Sequence, residues 1–246
     1  MMKSTKQVIM SLCIAIIIIV GWSCQNGKKE VGAGQSDEIA KTVSYSDELL
    51  EKAQNGDADA QNLMGVYCDE KQDYQSAVGW YDKAAAQGHI LAIYNMGICY
   101  IWGHGVLQNY DKAFKCFQIA AKEGNVEAQY SLGVCYEKGY GTSIDVEEAM
   151  KWYQKAAEQD YPDAQYSIGR FYEHGRGVLK DYSEAFKWYK KAAEQNHANA
   201  EFNLAVCYAK GRGVIADVNK AIEWYKKAAS DGSGEAINVL QKLENK

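Results

Sequence analysis

Residues 126–161 read VEAQYSLGVCYEKGYGTSIDVEEAMKWYQKAAEQDY, and the same outline returns at a fixed step of 36 on either side. Gly97, Gly133, Gly169 and Ala205 occupy one column, and Ala92, Ala128, Ala164 and Ala200 a second. Tyr100, Tyr136, Tyr172 and Tyr208 form a third. The glycine pairs Gly103/Gly105, Gly139/Gly141, Gly175/Gly177 and Gly211/Gly213 keep the step, as do the double alanines that begin at Ala120, Ala156, Ala192 and Ala228. A period of this length marks a solenoid, in which a unit buries its apolar face only by stacking on its neighbours. Such an array works by presenting a surface, so the functional question becomes one of binding rather than catalysis.

Each unit reads helix A, glycine loop, helix B. In the second unit Ala92, Met96, Cys99 and Tyr100 fall at i, i+4, i+7 and i+8, one apolar stripe of a helix. Gly97 removes a side chain beside that stripe and lets a neighbouring helix come close. Gly103 ends the helix, because glycine takes up the left-handed conformation of a C-terminal cap at little steric cost. Asn109, Asp145, Asp181 and Asp217 are strong N-caps for helix B. Asp145 with Glu148, and Asp181 with Glu184, have the spacing of capping boxes. Ala113, Cys116, Phe117, Ala120 and Ala121 make the buried stripe of helix B.

The units run 57–89, 90–125, 126–161, 162–197 and 198–233, within an array spanning 45–246. The first is four residues short, in the loop around Asp69–Gln72. Ser46 to Gly56 reads as a lone leading helix B. In the C-terminal cap, 234–246, Ala236, Val239, Leu240 and Leu243 share one face.

The pattern A-x-x-x-L-G-x-x-Y-x-x-G-x-G-V…D-x-x-x-A-x-x-W-Y-x-x-A-A resembles the Sel-1-like repeat (SLR) family, relatives of the tetratricopeptide repeats, over roughly residues 57–232. Departures are local: Ala205 replaces the helix glycine, Thr142 the loop valine and Cys116 the tryptophan. The resemblance implies an all-α, right-handed α/α solenoid and adaptor work in assembling protein complexes, including at bacterial envelopes.

Ahead of the array, Lys3 and Lys6 precede an apolar run of 13 residues, Val8 to Val20, and then Gly21-Trp22-Ser23-Cys24. Charged start, apolar middle and small-residue end are the parts of a secretory signal peptide, here 1–23. The run is short of the roughly 20 residues a spanning helix needs. A cysteine after Gly-Trp-Ser resembles a bacterial lipoprotein signal, cut before Cys24 so that its thiol is lipidated. Gly21 stands where that signal usually has Leu. An uncleaved anchor extended through Trp22 is the alternative. Residues 24–44 are polar and glycine-bearing, a flexible tether with a root-mean-square reach of roughly 25 Å. Gln25 to Lys29 lack the acidic cluster that resembles a surface-export signal. The expected location is therefore the bacterial cell envelope, lipid-anchored and facing the periplasm.

Tyr (18) and Trp (6) are abundant while Pro162 is the single proline, which suits helices joined by glycine turns. Without Lys3 and Lys6, 25 bases face 32 acids, a net charge of −7. An acidic chain with no basic run is a poor partner for nucleic acid. No CxxC or Cys/His spacing suggests a metal, the glycine loops lack the strand a phosphate cradle follows, and no nucleophile stands in an elbow context. Cys99, Cys135 and Cys207 share a column with Tyr67 and Phe171, the mark of core packing. Cys99–Cys116 is the one disulfide the units allow. The histidines, His89, His104, His174 and His197, read as spread over different columns, with His104 and His174 solvated in loops. The expectation is a non-enzyme without cofactor or metal.

By analogy with tetratricopeptide arrays, helices A line the concave side. Tyr94, Tyr130, Tyr166 and Phe202 form an aromatic ladder there, flanked by Asn95, Ser131, Ser167 and Asn203. Beside it run Val66, Ile98, Val134, Arg170 and Val206. Rings and amides in register suit an extended peptide, and equally suit the stacking of sugar rings. The leading expectation is a membrane-tethered adaptor for a protein or peptide partner, and the alternative an envelope glycan- or peptidoglycan-binding protein. Packing between neighbouring repeats would instead leave the ladder partly buried. Arg170, Arg176 and Arg212 gather toward the later repeats and suggest an anionic partner. Trp80, Trp152, Trp188 and Trp224 are assigned to the helix B cores.

Overall fold

A computed structural model describes residues 47–244, and the signal segment, Cys24 and the tether lie outside them. From Leu49 on the chain forms one compact unit. A leading helix α1 (47–54) is followed by α2 (Ala58–Glu70), α3 (Tyr74–Ala86), α4 (Ile90–Trp102), α5 (Tyr110–Lys122), α6 (Val126–Lys138) and α7 (Val146–Glu158). Then come α8 (Pro162–His174), α9 (Tyr182–Glu194), α10 (Ala198–Lys210), α11 (Val218–Ser230) and α12 (Gly234–Glu244). The five A–B pairs are α2/α3, α4/α5, α6/α7, α8/α9 and α10/α11. The helices of a pair pack together, and each helix B packs on the next helix A.

Local chemistry sets these boundaries. Gly103, Gly139, Gly175 and Gly211 end their A helices in the left-handed conformation, as the sequence predicts. Asn109, Asp145, Asp181 and Asp217 each accept a backbone N–H from the first turn of helix B, a cap worth about 1 kcal/mol. The capping boxes form only half: the Glu148 and Glu184 carboxylates bond Lys151 and Lys187 instead. In the shortened first unit Lys71-Gln72-Asp73 replaces the glycine loop, and Gln72 takes the left-handed conformation with φ 62°.

The core is distributed, one cluster per junction. Ala77, Tyr81 and Ala84 of the first helix B meet Ala92, Met96 and Cys99 of the second helix A. The same columns rebuild the cluster at later junctions, ending with Ala205, Tyr225, Ala228 and Ala236 at the C-terminal cap. Val239 and Leu240 pack on that last cluster, whereas Leu243 lies 48% exposed, one helical turn beyond the surface it was expected to cover.

The helix glycine admits a ring rather than a backbone. A Cβ on Gly97, Gly133 or Gly169 would stand 2.6, 2.7 or 2.6 Å from the ring of Phe117, Tyr153 or Tyr189 on the partner helix B. The second loop glycine has another task. A Cβ at Gly105, Gly141 or Gly213 would collide with the carbonyl of Tyr74, Tyr110 or Tyr182, so each loop seats on the helix B that precedes it. The four tryptophans sit half-buried at junctions too: Trp80, Trp152 and Trp188 against the cluster on the N-terminal side of their helix B, and Trp224 against the clusters on both sides. Lys83, Lys155, Lys191 and Lys227 lie over their rings at 4.1, 3.9, 4.3 and 5.0 Å.

Candidate functional site: the helix A face

Tyr94 is buried, while Tyr130, Tyr166 and Phe202 are half-buried. Each ring packs on an aromatic residue of its own helix B: Tyr94 on Phe117 at 5.7 Å, Tyr130 on Tyr153 at 5.5 Å, Tyr166 on Tyr189 at 5.9 Å and Phe202 on Tyr225 at 5.6 Å. Tyr130 also meets Tyr161 at 5.4 Å, and Tyr166 stacks on His197 at 4.8 Å. Burial pushes the Tyr130 and Tyr166 phenols above their ordinary values.

The polar column has partners as well. Asn95 Nδ2 donates to Asn62 Oδ1 at 3.1 Å. Ser167 reaches the Tyr130 phenol and Asn203 the Tyr166 phenol, each across a repeat boundary. The ladder and its flanking amides are thus partly a seam between units. Ser131 is half-buried beside it, as are Val66, Ile98, Val134, Arg170 and Val206.

The arginines separate into two kinds. Arg176 donates to Glu137 Oε1 at 2.7 Å and Arg212 to Glu173 Oε1 at 2.9 Å. Both are consumed inside the array, which removes them from the cationic surface expected to meet an anionic partner. Arg170 stands 6.0 Å from the centre of the Tyr166 ring, and among the described residues no ion pair holds it.

The acid of each pair has a third partner. Tyr153 donates to Glu137 Oε2 at 2.7 Å, and Tyr189 to Glu173 Oε2 at 2.6 Å. Burial raises the Glu137 pKa, but bonds from Tyr153, Lys138 and Arg176 outweigh it and hold the carboxyl below its usual value. Sequence reasoning missed this network, although three columns carry it. Where Glu137 and Tyr153 of the third unit meet Arg176 of the fourth, Ile101 and Phe117 of the second unit and Tyr140 of the third stand one repeat earlier, an apolar version packed in one cluster.

The histidines also correct the reading from sequence. His89 and His197 share the N-cap column of helix A. In each, Nδ1 accepts the N–H of Ala92 or Ala200 at 3.1 Å, and Nε2 faces Asp59 at 2.9 Å or Asp163 at 3.2 Å on the first turn of the preceding helix A. His104 stacks on Tyr74 at 4.1 Å rather than standing free in its loop, while His174 is exposed. Cys116 carries a free thiol, so the bridge to Cys99 is not formed. Burial pushes the Cys135 and Cys207 thiols up to about 12, in keeping with packing roles.

A second row of amides crosses the junctions. Gln61 Nε2 donates to the Ala53 carbonyl at 3.0 Å and Gln129 Nε2 to that of Ala121 at 3.3 Å. Gln87, Gln159 and Gln195 in turn donate to Gln61, Gln129 and Gln165 at 2.8, 2.8 and 2.9 Å. In the last unit Glu201 and Asp231 take these places, and Lys227 Nζ lies 2.8 Å from the fully buried Glu201 carboxylate.

The Sel1 repeat profile matches residues 58–89, 90–125, 126–161, 162–197 and 198–233. Among solved structures, a protective antigen of uropathogenic Escherichia coli with an SLR fold is 37% identical, with a TM-score of 0.73. The match covers 77% of this chain but 42% of that protein. A Sel1 repeat protein from Oxalobacter formigenes is 36% identical, with a TM-score of 0.69, over 72% of this chain and 73% of that one. A sel1 repeat protein from Klebsiella pneumoniae, 22% identical with a TM-score of 0.55 over 80% and 98%, shares the fold. No curated protein matches the chain.

Proposed function

The chain belongs to the Sel1 repeat family, whose arrays are generally protein-interaction scaffolds, and from that premise we propose that it is a non-catalytic adaptor, tethered to a membrane by its N-terminal segment, that holds a protein partner along the helix A face. The observation that carries the reading is the row Val134, Arg170 and Val206, half-exposed beside the Tyr130, Tyr166 and Phe202 rings. It offers an extended peptide aliphatic contacts and a cation, Arg170, that no carboxylate among the described residues pairs. The rings favour a peptide over a sugar, because the Tyr166 ring already stacks on His197 and Tyr130 is held between Tyr153 and Tyr161. Protein rather than glycan is therefore the partner assigned.

In-cell photo-crosslinking from position 134, with mass spectrometry of the adducts, tests it. A discrete protein adduct that disappears in Arg170→Glu supports the assignment. A carbohydrate smear, or no adduct, overturns it.

A further inference from the structure

The large apolar side chains this fold leaves most open to water occupy equivalent places. Leu107, Leu179 and Ile215 are 91%, 90% and 89% exposed and share one loop column. In the remaining full-length loop Ser143 fills that column, and Ile144 beside it is 66% exposed. The loops stand in a row because Gly105, Gly141, Gly177 and Gly213 each press on the start of the preceding helix B. Their tips therefore lie along one edge, one per repeat.

Rings and cations sit around the base of these loops. Tyr74 stacks on His104 at 4.1 Å and Tyr110 on Tyr140 at 4.7 Å. Lys180 lies over the Tyr182 ring at 4.7 Å, and Arg212, which Glu173 already holds, lies 5.2 Å from it on the array side. Aliphatic tips with phenols and cations beside them are the side chains that a bilayer interface accepts: chains enter the acyl boundary while rings and amines stay among the headgroups. A protein partner would need a contiguous apolar centre. Here Gln108 and Asn109 follow Leu107, and Lys180 and Asp181 follow Leu179, so polar groups separate one tip from the next. The first unit, nearest the tether, has the short loop Lys71-Gln72 in place of a tip.

We infer that the edge formed by the four A–B loops lies against a lipid bilayer, with Leu107, Ile144, Leu179 and Ile215 dipping into it. This rests on the tethered reading above, which holds the array within reach of a membrane. Single aliphatic tips bind weakly alone, and the tether supplies the local concentration that makes them effective.

The full chain, purified from membranes and reconstituted into phosphatidylcholine vesicles, is the test, read by hydrogen–deuterium exchange and flotation. Several-fold slower exchange at 103–109, 139–145, 175–181 and 211–217 on vesicles than in detergent-free buffer is expected. It should be lost in a Leu107→Ser, Leu179→Ser, Ile215→Ser variant that still floats and exchanges normally in its helices. A chain that floats with unprotected loops overturns the edge assignment and leaves the tether standing. A chain that does not float removes the tether and the edge together. Loops protected on native membranes but not on vesicles would mean that a protein covers them, which also overturns the lipid assignment.

Discussion

Arg176 Nη1 lies 2.7 Å from Glu137 Oε1, joining the glycine loop of the fourth unit to the last turn of helix A in the third. Arg212 and Glu173 repeat the bond one unit on, at 2.9 Å. Helix stacking buries the apolar columns, and this pair fixes how far the next loop can slide. Glu137 is 6% exposed and Arg176 35%, so the pair is screened less than a surface bridge.

Glu137→Gln should therefore cost about 1–3 kcal/mol, because it weakens the acceptor shared by Tyr153 and Arg176. The combined Glu137→Ile, Tyr153→Phe, Arg176→Tyr change should recover most of the loss, since the junction of the second and third units already carries Ile101, Phe117 and Tyr140 in those places. Denaturant unfolding of the single and triple variants decides it. A triple variant no more stable than the single one would show that the three columns do not act together.

The helix glycine and the second loop glycine should respond to alanine for different reasons. Gly133→Ala drives a Cβ to 2.7 Å from the Tyr153 ring and should cost roughly 1–3 kcal/mol, despite the better helix propensity of alanine. Gly141→Ala combines φ 69° with a collision on the Tyr110 carbonyl, so it should loosen the second and third units from each other. Exchange protection lost selectively at that junction, with the distal helices intact, is the expected sign.

The period made the helices, caps and five units legible, because each depends on a few residues close in sequence. Gly103 and Asn109 announce their roles within one turn of chain. The junctions were harder. The Glu137–Arg176 bond spans more than one unit, and the Tyr153 that completes it reads alone as one more buried ring. Position within a repeat says which residues align, and only the stacking says which touch. For the same reason the sequence left open whether the Tyr130 ladder is a surface or a seam between repeats; Tyr153 and Tyr161 cover part of it.

Glu201 makes the last unit sensitive to pH. Burial raises its pKa and Asp231 adds to the effect, with Lys227 offsetting part of it. A carboxyl whose folded pKa is raised supplies stability below its unfolded value, near 4.5, and that stability is lost as pH rises through the folded value. Glu201→Gln restores the amide found at Gln61, Gln129 and Gln165 and should stabilise the array by about 1 kcal/mol at neutral pH. Its advantage over the native chain should shrink on acidification toward about pH 4. Thermal unfolding of both proteins across that range checks the slope, and an advantage independent of pH would assign the gain to packing.

Substitutions on the helix A face should divide by what each side chain supports. Tyr130 packs on two rings, so Tyr130→Ala opens a cavity and should cost about 3–5 kcal/mol; any loss of partner capture would then follow from unfolding. Val134 and Arg170 are half-exposed and carry less of the structure. Val134→Asp and Arg170→Glu should each change stability by less than about 1 kcal/mol while lowering capture of the cross-linked partner at least tenfold. Arg170→Lys should keep part of the binding if the cation is met as a point charge, and little of it if a carboxylate engages the guanidinium fork. Unfolding midpoints and partner titrations on the same preparations separate the two effects. If capture tracks stability across all four variants, the face is packing rather than a binding surface.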